Sequence, residues 1–290
     1  MALTWPVVLA VLLGAVLHAS WNALVKSSGD KELDTALVHF LGALVALPMA
    51  LWVGPPPMAA APFIAASLLI HIGYYIALAG AYKHGDLGLT YPIMRGTAPL
   101  LVALGSGLVL GEAPTPTAWV GILGITAGVA LVGLSHPGDA LHHRTALAYA
   151  LTNALIIALY TFVDGKGVRT TVVDGHSAAA YVLLLFVLDG IPYPSIVWAR
   201  RDGAGRRAIL AYARQRWPLA ALGGAASIGS YAIALWAMTR APVASVAALR
   251  ETSVLFAAVL GTVLLKERFG TQRAIGTAVI VAGVMALRLA

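Results

Sequence analysis

The chain has 290 residues, of which 60% are hydrophobic and 11% charged, and it carries a formal net charge of +7. Charged residues make up about a quarter of an ordinary soluble domain, so this composition excludes a soluble globule and predicts an integral membrane protein. The basic residues lie in short loops beside apolar segments, where they orient helices in the bilayer, so we expect no nucleic-acid partner. The absence of cysteine excludes disulfides and cysteine-ligated metal sites.

Ten apolar segments are long enough to cross a bilayer core of about 30 Å, which takes roughly 20 helical residues. Their approximate bounds are 3–25, 35–53, 60–82, 87–110, 117–135, 145–163, 178–198, 217–238, 243–265 and 271–289. Clusters of Gly, Pro and charged residues separate them, including a long basic stretch at 199–216. The first segment has no basic residues ahead of it and is too long for a signal-peptide core, so we expect it to be retained. The predicted fold class is an all-α membrane protein.

The first segment carries an unusual polar cluster. His18 lies three residues before Trp21 and four before Asn22, so one helix face can present all three to a substrate. The sixth segment offers Tyr160 and, near its end, Asp164 opposite them. His18 is a candidate proton carrier, because histidine titrates near neutral pH, or else a packing residue. His71 of the third segment either lines the same cavity or belongs to the polar and aromatic residues of the membrane interface.

The fourth segment buries a charge. Arg95 lies eight residues into it, about 12 Å deep at about 1.5 Å per residue. An arginine at mid-membrane costs about 2.5–3.5 kcal/mol, so its side chain must face protein or a water-filled cavity. Tyr91, one turn earlier on the same face, is a second substrate contact or a packing residue. Pro92 and Pro99 predict that this segment is kinked.

The last third of the chain repeats an earlier stretch. Residues 250–289 match residues 95–134 at 12 of 40 positions when the two are slid by 155 positions without a gap. Each copy therefore belongs to a five-segment half, and an odd number of segments brings the second half into the membrane from the opposite face. We predict two inverted five-helix repeats, residues 1–137 and 145–290, around a central cavity.

Arg250 occupies the position in the second repeat that Arg95 occupies in the first. If a pseudo-two-fold axis relates the halves, the two arginines converge near the midplane and form a paired site for a carboxylate, phosphate or phosphonate. The alternative is that each is held by a carboxylate such as Glu251 or Asp189. Glu251 is accordingly either a proton carrier or the counter-ion of Arg95 from the other half, and Asp189 is either a proton carrier or a structural partner. The ninth segment has no proline near Arg250, so we do not expect the halves to bend alike.

The loops predict an orientation. Loops after odd-numbered segments hold 13 Lys and Arg, whereas the termini and the other loops hold four. The positive-inside rule then places the odd-numbered loops in the cytoplasm and both termini outside.

Each half ends in a helix, a short loop with a glutamate (LGE at 110–112, LKER at 265–268) and a Gly-rich helix (GILGITAGV, GTAVIVAGV). Over essentially the whole chain this pattern resembles the EamA-type transporters of the drug/metabolite transporter superfamily. LHASWNALVKSSGD at 17–30 resembles the first helix of small multidrug-resistance pumps, with His18 in place of their proton-binding carboxylate. The family is usually drawn with both termini in the cytoplasm, which disagrees with the charge count.

The resemblance implies a secondary active transporter in the cell inner (cytoplasmic) membrane, and an exporter by the family's prevalence. Its partners would be the lipid bilayer and a small polar or anionic metabolite, such as an amino acid, moved by alternating access. The substrate and any coupling to protons stay open, and we expect no cofactor. The Gly-rich fifth and tenth segments either pack together within one chain or dimerise, and we expect internal packing and a monomer.

Two other functions stay open. A passive channel would need no coupling residue. A membrane-embedded enzyme could use a metal at His136, Asp139, His142 and His143, but these lie in one hydrophilic loop without a helical Glu-bearing pattern. No Gly-rich nucleotide motif ending in Lys and Ser or Thr is present, which argues against transport driven by ATP in this chain.

Overall fold

The computed structural model describes residues 3–84, 87–133, 144–265 and 270–290, and all regular structure in these ranges is helical. The helices are α1 (Trp5–Lys26), α2 (Lys31–Val53), α3 (Ala61–His84), α4 (Leu87–Leu110), α5 (Pro116–Gly133), α6 (Arg144–Val173), α7 (Ala178–Asp189), α8 (Pro192–Ala199), α9 (Gly203–Met238), α10 (Val243–Arg250), α11 (Ser253–Leu265) and α12 (Thr271–Arg288). A short 3-10 turn, Met58–Ala60, precedes α3. The loop histidines considered for a metal lie outside the described residues, as does Glu267.

The predicted segments correspond to these helices. The seventh segment is divided into α7 and α8, and the ninth into α10 and α11. Within the described ranges, nine helical stretches are long and apolar enough to cross a membrane. The tenth predicted segment, α12, is not in that count, because its first turn holds Gln272 and Arg273. The all-α membrane class is thus confirmed.

Large apolar side chains cover the outside of the helices. Leu51, Trp52 and Leu108 are between 77% and 93% exposed, and other exposed leucines follow on α1, α6 and α9. Water would penalise so much exposed apolar surface, whereas hydrocarbon would not. This surface is therefore the one that lipid covers.

The prediction of a basic loop at 199–216 is wrong, because α9 already begins at Gly203. Asp202 caps the helix by accepting a hydrogen bond from the Gly205 amide at 2.7 Å. The stretch is rich in Ala and Arg, which favour helix, so its charge alone was a poor guide to its structure. Arg216 then ties α9 to α2, with 3.1 Å between its Nε and Asp34 Oδ1.

The sixth segment also extends beyond its predicted end at residue 163. Helix α6 continues through Asp164 to Val173, and within this extension Asp164 and Thr171 are buried by protein whereas Lys166 is exposed. The Thr171 hydroxyl donates to the Gly167 carbonyl of the preceding turn at 2.9 Å. Polar residues that predict the end of a membrane segment can thus lie inside a helix when neighbouring helices satisfy them.

The fourth and ninth segments, which the duplication makes equivalent, differ in shape as expected. The helix that is interrupted is the ninth, in the second half, rather than the proline-containing fourth. Helix α4 runs unbroken from Leu87 to Leu110 with both prolines inside. The ninth segment breaks at Glu251 and Thr252, where the amides bond three residues back to Ala248 and Leu249, each at 3.1 Å. Such tighter bonds end a regular α-helix without proline.

Helices α5 and α12, which the duplication makes equivalent, pack against each other in antiparallel fashion. Gly121 faces Gly283, and Gly128 faces Gly276. A Cβ added to any of the four would lie 2.7–2.9 Å from the facing glycine's carbonyl oxygen, so only glycine permits this approach. The Gly-rich faces expected to pack internally do so.

Candidate functional site

A cavity of about 930 Å³ lies among the helices. Its wall includes nine of the ten residues that the sequence singled out for substrate or coupling, and Glu251 adjoins it through Arg95. These nine are His18, Trp21, Asn22, His71, Tyr91, Arg95, Tyr160, Asp189 and Arg250. The cavity reaches the ends of α1 and α5 and the starts of α2 and α12, where Lys31 and Arg273 line it; we call this the mouth end.

Arg95 is surrounded by polar partners and is 7% exposed. Its Nε lies 2.7 Å from Glu251 Oε2, an ion pair whose angle is too poor for a hydrogen bond. Its Nη2 lies 3.4 Å from the Ser253 hydroxyl and 3.3 Å from His18 Nε2. Of the two alternatives that the sequence allowed for each arginine, Arg95 thus follows the one in which a carboxylate binds it.

His18 is constrained by that contact. A guanidinium only donates hydrogen bonds, so His18 Nε2 must accept, which leaves the ring neutral with its proton on Nδ1. A second positive charge 3.3 Å from Arg95 would be repelled. This geometry gives His18 a role in holding Arg95 rather than in carrying a proton.

Arg250 has different surroundings from its repeat counterpart. Its guanidinium lies 5.0 Å from the centre of the Tyr231 ring on the cavity wall, a cation–π contact. No carboxylate of the described residues forms an ion pair with it. Of the two arginines, Arg250 is thus the one whose charge faces the cavity without a bonded counter-ion.

The break between α10 and α11 orients Glu251. The residue is 4% exposed, and it pairs across the cavity wall with Arg95 of the first half rather than with the adjacent Arg250. Neighbouring residues on a helix point about 100° apart, which explains why Glu251 does not pair with Arg250. Among its two predicted roles, the geometry supports that of counter-ion.

Aromatic rings from α3 and α6 form one side of the cavity. His71 stacks on Tyr160 at 4.7 Å between ring centres, and Tyr74 meets Tyr160 edge-on at 6.3 Å. Asn153 secures this pair of helices, because its Nδ2 donates to the Tyr74 carbonyl at 3.0 Å. His71 thus lies in the cavity wall, one of the two placements that its sequence allowed.

Asp189 lies at the end of α7 and binds a tyrosine rather than an arginine. The Tyr75 hydroxyl donates to Asp189 Oδ2 at 2.9 Å, and the Tyr75 ring stacks on Tyr193 of α8 at 5.0 Å. These contacts join α3 to α7 and α8, which fits the structural role considered for Asp189.

Trp21 and Asn22 extend the wall along α1. The Trp21 ring meets His18 edge-on at 5.3 Å, and its Nε1 is buried without a hydrogen-bond partner among the described residues. A buried indole N–H normally has a partner, so this donor is suited to an acceptor on a ligand. The Asn22 amide instead donates to the His18 carbonyl at 2.8 Å.

The opposite end of the bundle, which we call the far end, is sealed by polar contacts between segments. Arg169 Nη1 lies 2.8 Å from Glu112 Oε1, and the same carboxylate accepts from the Val243 amide at 3.1 Å. Arg169 also donates to the carbonyls of Met238, at 2.7 Å, and Ala241, at 3.2 Å. These bonds join the α4–α5 loop to α6 and to the α9–α10 turn.

Sequence reasoning missed several residues around the site. Tyr231 and Tyr193 line the cavity, and Asp164, which was named with Tyr160 but not chosen as a site residue, is fully buried behind it. Each is a tyrosine or a carboxylate within an apolar stretch of sequence. The same feature had identified the site residues that the sequence analysis selected, so it could have identified these as well. The described residues contain no group of three or more His, Asp or Glu positioned to hold a metal ion.

The apolar helices and the cavity among them, with its arginine and tyrosine side chains, define a multi-pass membrane protein of the transporter type. A model of the EamA-like transporter family matches residues 5–134 and 144–289, one match in each half, and the chain belongs to this family. The resemblance inferred from the sequence is confirmed, and the family is one of transporters rather than enzymes.

The fold is similar to that of a solved structure described as "Crystal structure of protein", with a TM-score of 0.75. The two chains are 18% identical, and the similarity covers 98% of this chain and 95% of the other. At this identity the comparison concerns the fold alone. A comparison with curated proteins finds no match.

Proposed function

We propose that this protein is a secondary transporter of the inner membrane that moves a small polar or anionic metabolite, such as an amino acid, by alternating access. The observation that carries the proposal is the Arg250 guanidinium, which faces the cavity and has no ion-pair partner among the described residues. A carboxylate is the partner that a guanidinium binds best. The Trp21 N–H and the surrounding tyrosines would bind the remainder of such a molecule.

The two arginines contribute differently to this site. The charges of Arg95 and Glu251 offset each other. The site predicted to have two positive charges therefore has one net positive charge, at Arg250. We propose Arg250, Tyr160 and Trp21 as substrate contacts, with Tyr91 and Asn22 shaping the wall. Arg95 would position Glu251 and His18 around the same space.

We further propose that the halves, residues 1–137 and 145–290, are inverted relative to each other around this cavity. Support comes from the α5–α12 contact. The duplication maps Gly121 onto Gly276 and Gly283 onto Gly128, so it converts one glycine contact into the other. Two contacts that exchange in this way are related by a two-fold axis. Because α5 and α12 are antiparallel, that axis runs perpendicular to the two helices, as in an inverted repeat.

Alternating access is favoured over a passive channel by the closed far end. A channel needs a continuous path, whereas the Glu112–Arg169 cluster joins the halves at the end opposite the mouth. The loop on which a metal enzyme would depend lies outside the described residues. We take export as the direction, as the family resemblance implies.

The test is flux in proteoliposomes containing the purified protein, measured with radiolabelled amino acids and organic anions. We expect the wild type to exchange at least one anionic compound. Arg250→Gln should raise the KM for it at least about tenfold, since a charge-assisted bond contributes about 1.5–3 kcal/mol. Arg240→Gln, which alters an exposed arginine that stacks on Trp236 outside the cavity, is the matched control.

Absence of flux with every compound would contradict the proposed function. An unchanged KM in the Arg250→Gln variant, with flux intact, would contradict only the assignment of the binding residue.

A further inference from the structure

Asp164 is a carboxylate buried behind the cavity. It is 0% exposed and lies on α6, one turn beyond Tyr160 in the cavity wall. The Tyr181 hydroxyl donates to its Oδ1 at 2.8 Å, the Tyr231 hydroxyl donates to its Oδ2, and the Ser67 hydroxyl lies beside it. No lysine or arginine of the described residues forms an ion pair with it.

The neighbouring helices surround Asp164 with polar side chains, but within the described parts of the chain none of them places an arginine or lysine directly against its carboxylate. The titratable side chains that face Asp164 are His71 from α3, Tyr181 from α7, Tyr231 from α9 and Tyr160 from α6 itself. From α10, Arg250 approaches only through the Tyr231 ring, and the arginine of α4, Arg95, is paired with Glu251. The carboxylate therefore lacks a dedicated counter-ion.

An acid in this position is suited to hold a proton. A carboxylate removed from water is costly unless a cation or a proton neutralises it. Glu251 has its cation in Arg95, so its charge is already matched. Asp164 has hydroxyl donors and one ionisable base nearby, His71, but no permanent cation among the described residues, so uptake of a proton at this position is the way to neutralise it.

Asp164 also lies between the cavity and the contacts that close the far end, so the side of the membrane nearest to it can change during transport. Asp164 lies four residues beyond Tyr160, which faces the open cavity, and five residues before Arg169, which seals the far end. These separations are about 6 and about 7.5 Å along the helix axis. A proton held there would pass to the cavity, and so to the mouth end, by way of the Tyr231 hydroxyl, and to the far end once the seal opens.

The connection to the substrate site is short. The Tyr231 hydroxyl binds Asp164, while the face of the same ring lies against Arg250. An anion that draws Arg250 away from the ring changes the charge near Asp164, and protonation of Asp164 changes the bond that holds the ring. One side chain thus connects the two binding events.

We propose that Asp164 is the proton-binding site of the transport cycle and is coupled to the substrate through Tyr231 and Arg250. The carboxylate takes up one proton from water on one side of the membrane and releases that proton on the other. This inference rests on the proposed function, because it assumes that a substrate moves.

The experiment uses proteoliposomes with a trapped pH-sensitive dye and a radiolabelled amino acid that the wild type transports. We expect substrate-dependent proton movement with the wild type and none with Asp164→Asn. Accumulation driven by an imposed pH gradient should fall at least about tenfold in this variant. Asp174→Asn, an exposed aspartate in the loop after the same helix, should behave as the wild type.

A second variant guards against loss of folding. Tyr181→Phe keeps the carboxylate and removes one of its donors, so it should displace the pH midpoint of coupled flux without preventing transport. Thermal unfolding in detergent checks that each variant is folded.

Three outcomes would overturn the inference. Wild-type substrate flux without proton movement means that no proton is coupled, and proton-driven accumulation by folded Asp164→Asn means that another group carries it. Loss of proton movement in Asp189→Asn, with Asp164→Asn normal, would assign the proton to the Tyr75-bound acid. Absence of any wild-type flux would instead contradict the proposed function itself.

Discussion

At the scale of single residues, two equivalent arginines have acquired different surroundings. Arg95 is in contact with Glu251, Ser253 and His18, whereas Arg250 lies on an aromatic ring at the cavity surface. The difference follows from one residue, because Glu251 has glycine, Gly96, as its repeat counterpart. The first half therefore provides no acid to bind Arg250 in return.

This asymmetry predicts that Arg95→Gln is chiefly a stability mutation. Removing Arg95 leaves Glu251 buried without its cation, which costs about 3–5 kcal/mol. The double variant Arg95→Gln/Glu251→Gln, in which two neutral amides face each other, should recover most of that loss. The measurement is chemical unfolding of the three proteins in the same detergent. A double variant less stable than Arg95→Gln alone would contradict the assigned ion pair.

At the scale of helices, the sequence predicted what depends on composition and missed what depends on contacts. Lipid requires long apolar helices, so the ten segments could be found from hydrophobicity. The start of α9 could not, because its first turns are Arg-rich, mostly exposed and lack an apolar run. The end of α6 could not, because Asp164 and Thr171 are buried by protein rather than by lipid. Likewise, Pro92 and Pro99 indicated a bend in α4, yet the ninth segment is the one that is divided.

The same distinction holds for the site. A charge in an apolar run identified Arg95, Arg250 and Glu251, since each carries a large cost in lipid wherever its partners lie. The sequence offered Glu251 as counter-ion to Arg95 from the other half, beside a role as proton carrier, and the observed ion pair agrees with the first of these. Asp164 was named among the polar residues of the sixth segment, near its end, but was not chosen as a coupling residue.

The α5–α12 contact predicts a strong effect from the smallest side chain. A Cβ on Gly283 would lie 2.7 Å from the Ile125 amide nitrogen and 2.9 Å from the Gly121 carbonyl oxygen. Both are backbone atoms that cannot move aside, so Gly283→Ala should cost about 1–3 kcal/mol of stability. Gly107→Ala is the control, since a Cβ there meets nothing closer than 3.7 Å. Thermal unfolding in detergent compares them, and equal melting temperatures would contradict the contact.

At the scale of the whole molecule, charge asymmetry and cavity direction lead to a common orientation. The mouth end holds the odd-numbered loops, which carry 13 of the Lys and Arg residues. If those loops face the cytoplasm, the protein is open inward and sealed outward. An exporter in this state is ready to load its substrate.

The orientation predicts where the C-terminus lies. A reporter fused after Ala290 that is active only outside the cytoplasm should be active, and one that is active only inside should not. The matched pair is the same two reporters inserted between Ser28 and Gly29, in an odd-numbered loop, where the outcome should reverse. Cytoplasmic activity at the C-terminus would reverse the orientation and agree with the way in which the family is usually drawn.

The seal at the far end predicts how access is controlled. Glu112→Gln removes the ion pair with Arg169 but keeps the shape of the side chain, so the far end should open more often. Because the chain has no cysteine, Ser227→Cys in the cavity wall provides a single reactive thiol. Its labelling by a membrane-impermeant reagent, added from the side of the far end, should rise about fivefold, which corresponds to about 1 kcal/mol for the partly exposed pair.

The matched control for this seal is Glu32→Gln, which removes the Glu32–Arg201 pair at the mouth end. The two groups lie 2.7 Å apart there, compared with 2.8 Å for Glu112 and Arg169. Since the mouth is already open, this change should leave labelling from the far end as in the Ser227→Cys parent. Equal labelling of the Glu112→Gln variant and the parent would mean that the apolar core beneath, rather than the ion pair, limits opening. A rise in both variants would indicate general loosening, which the thermal stability of each protein would report independently.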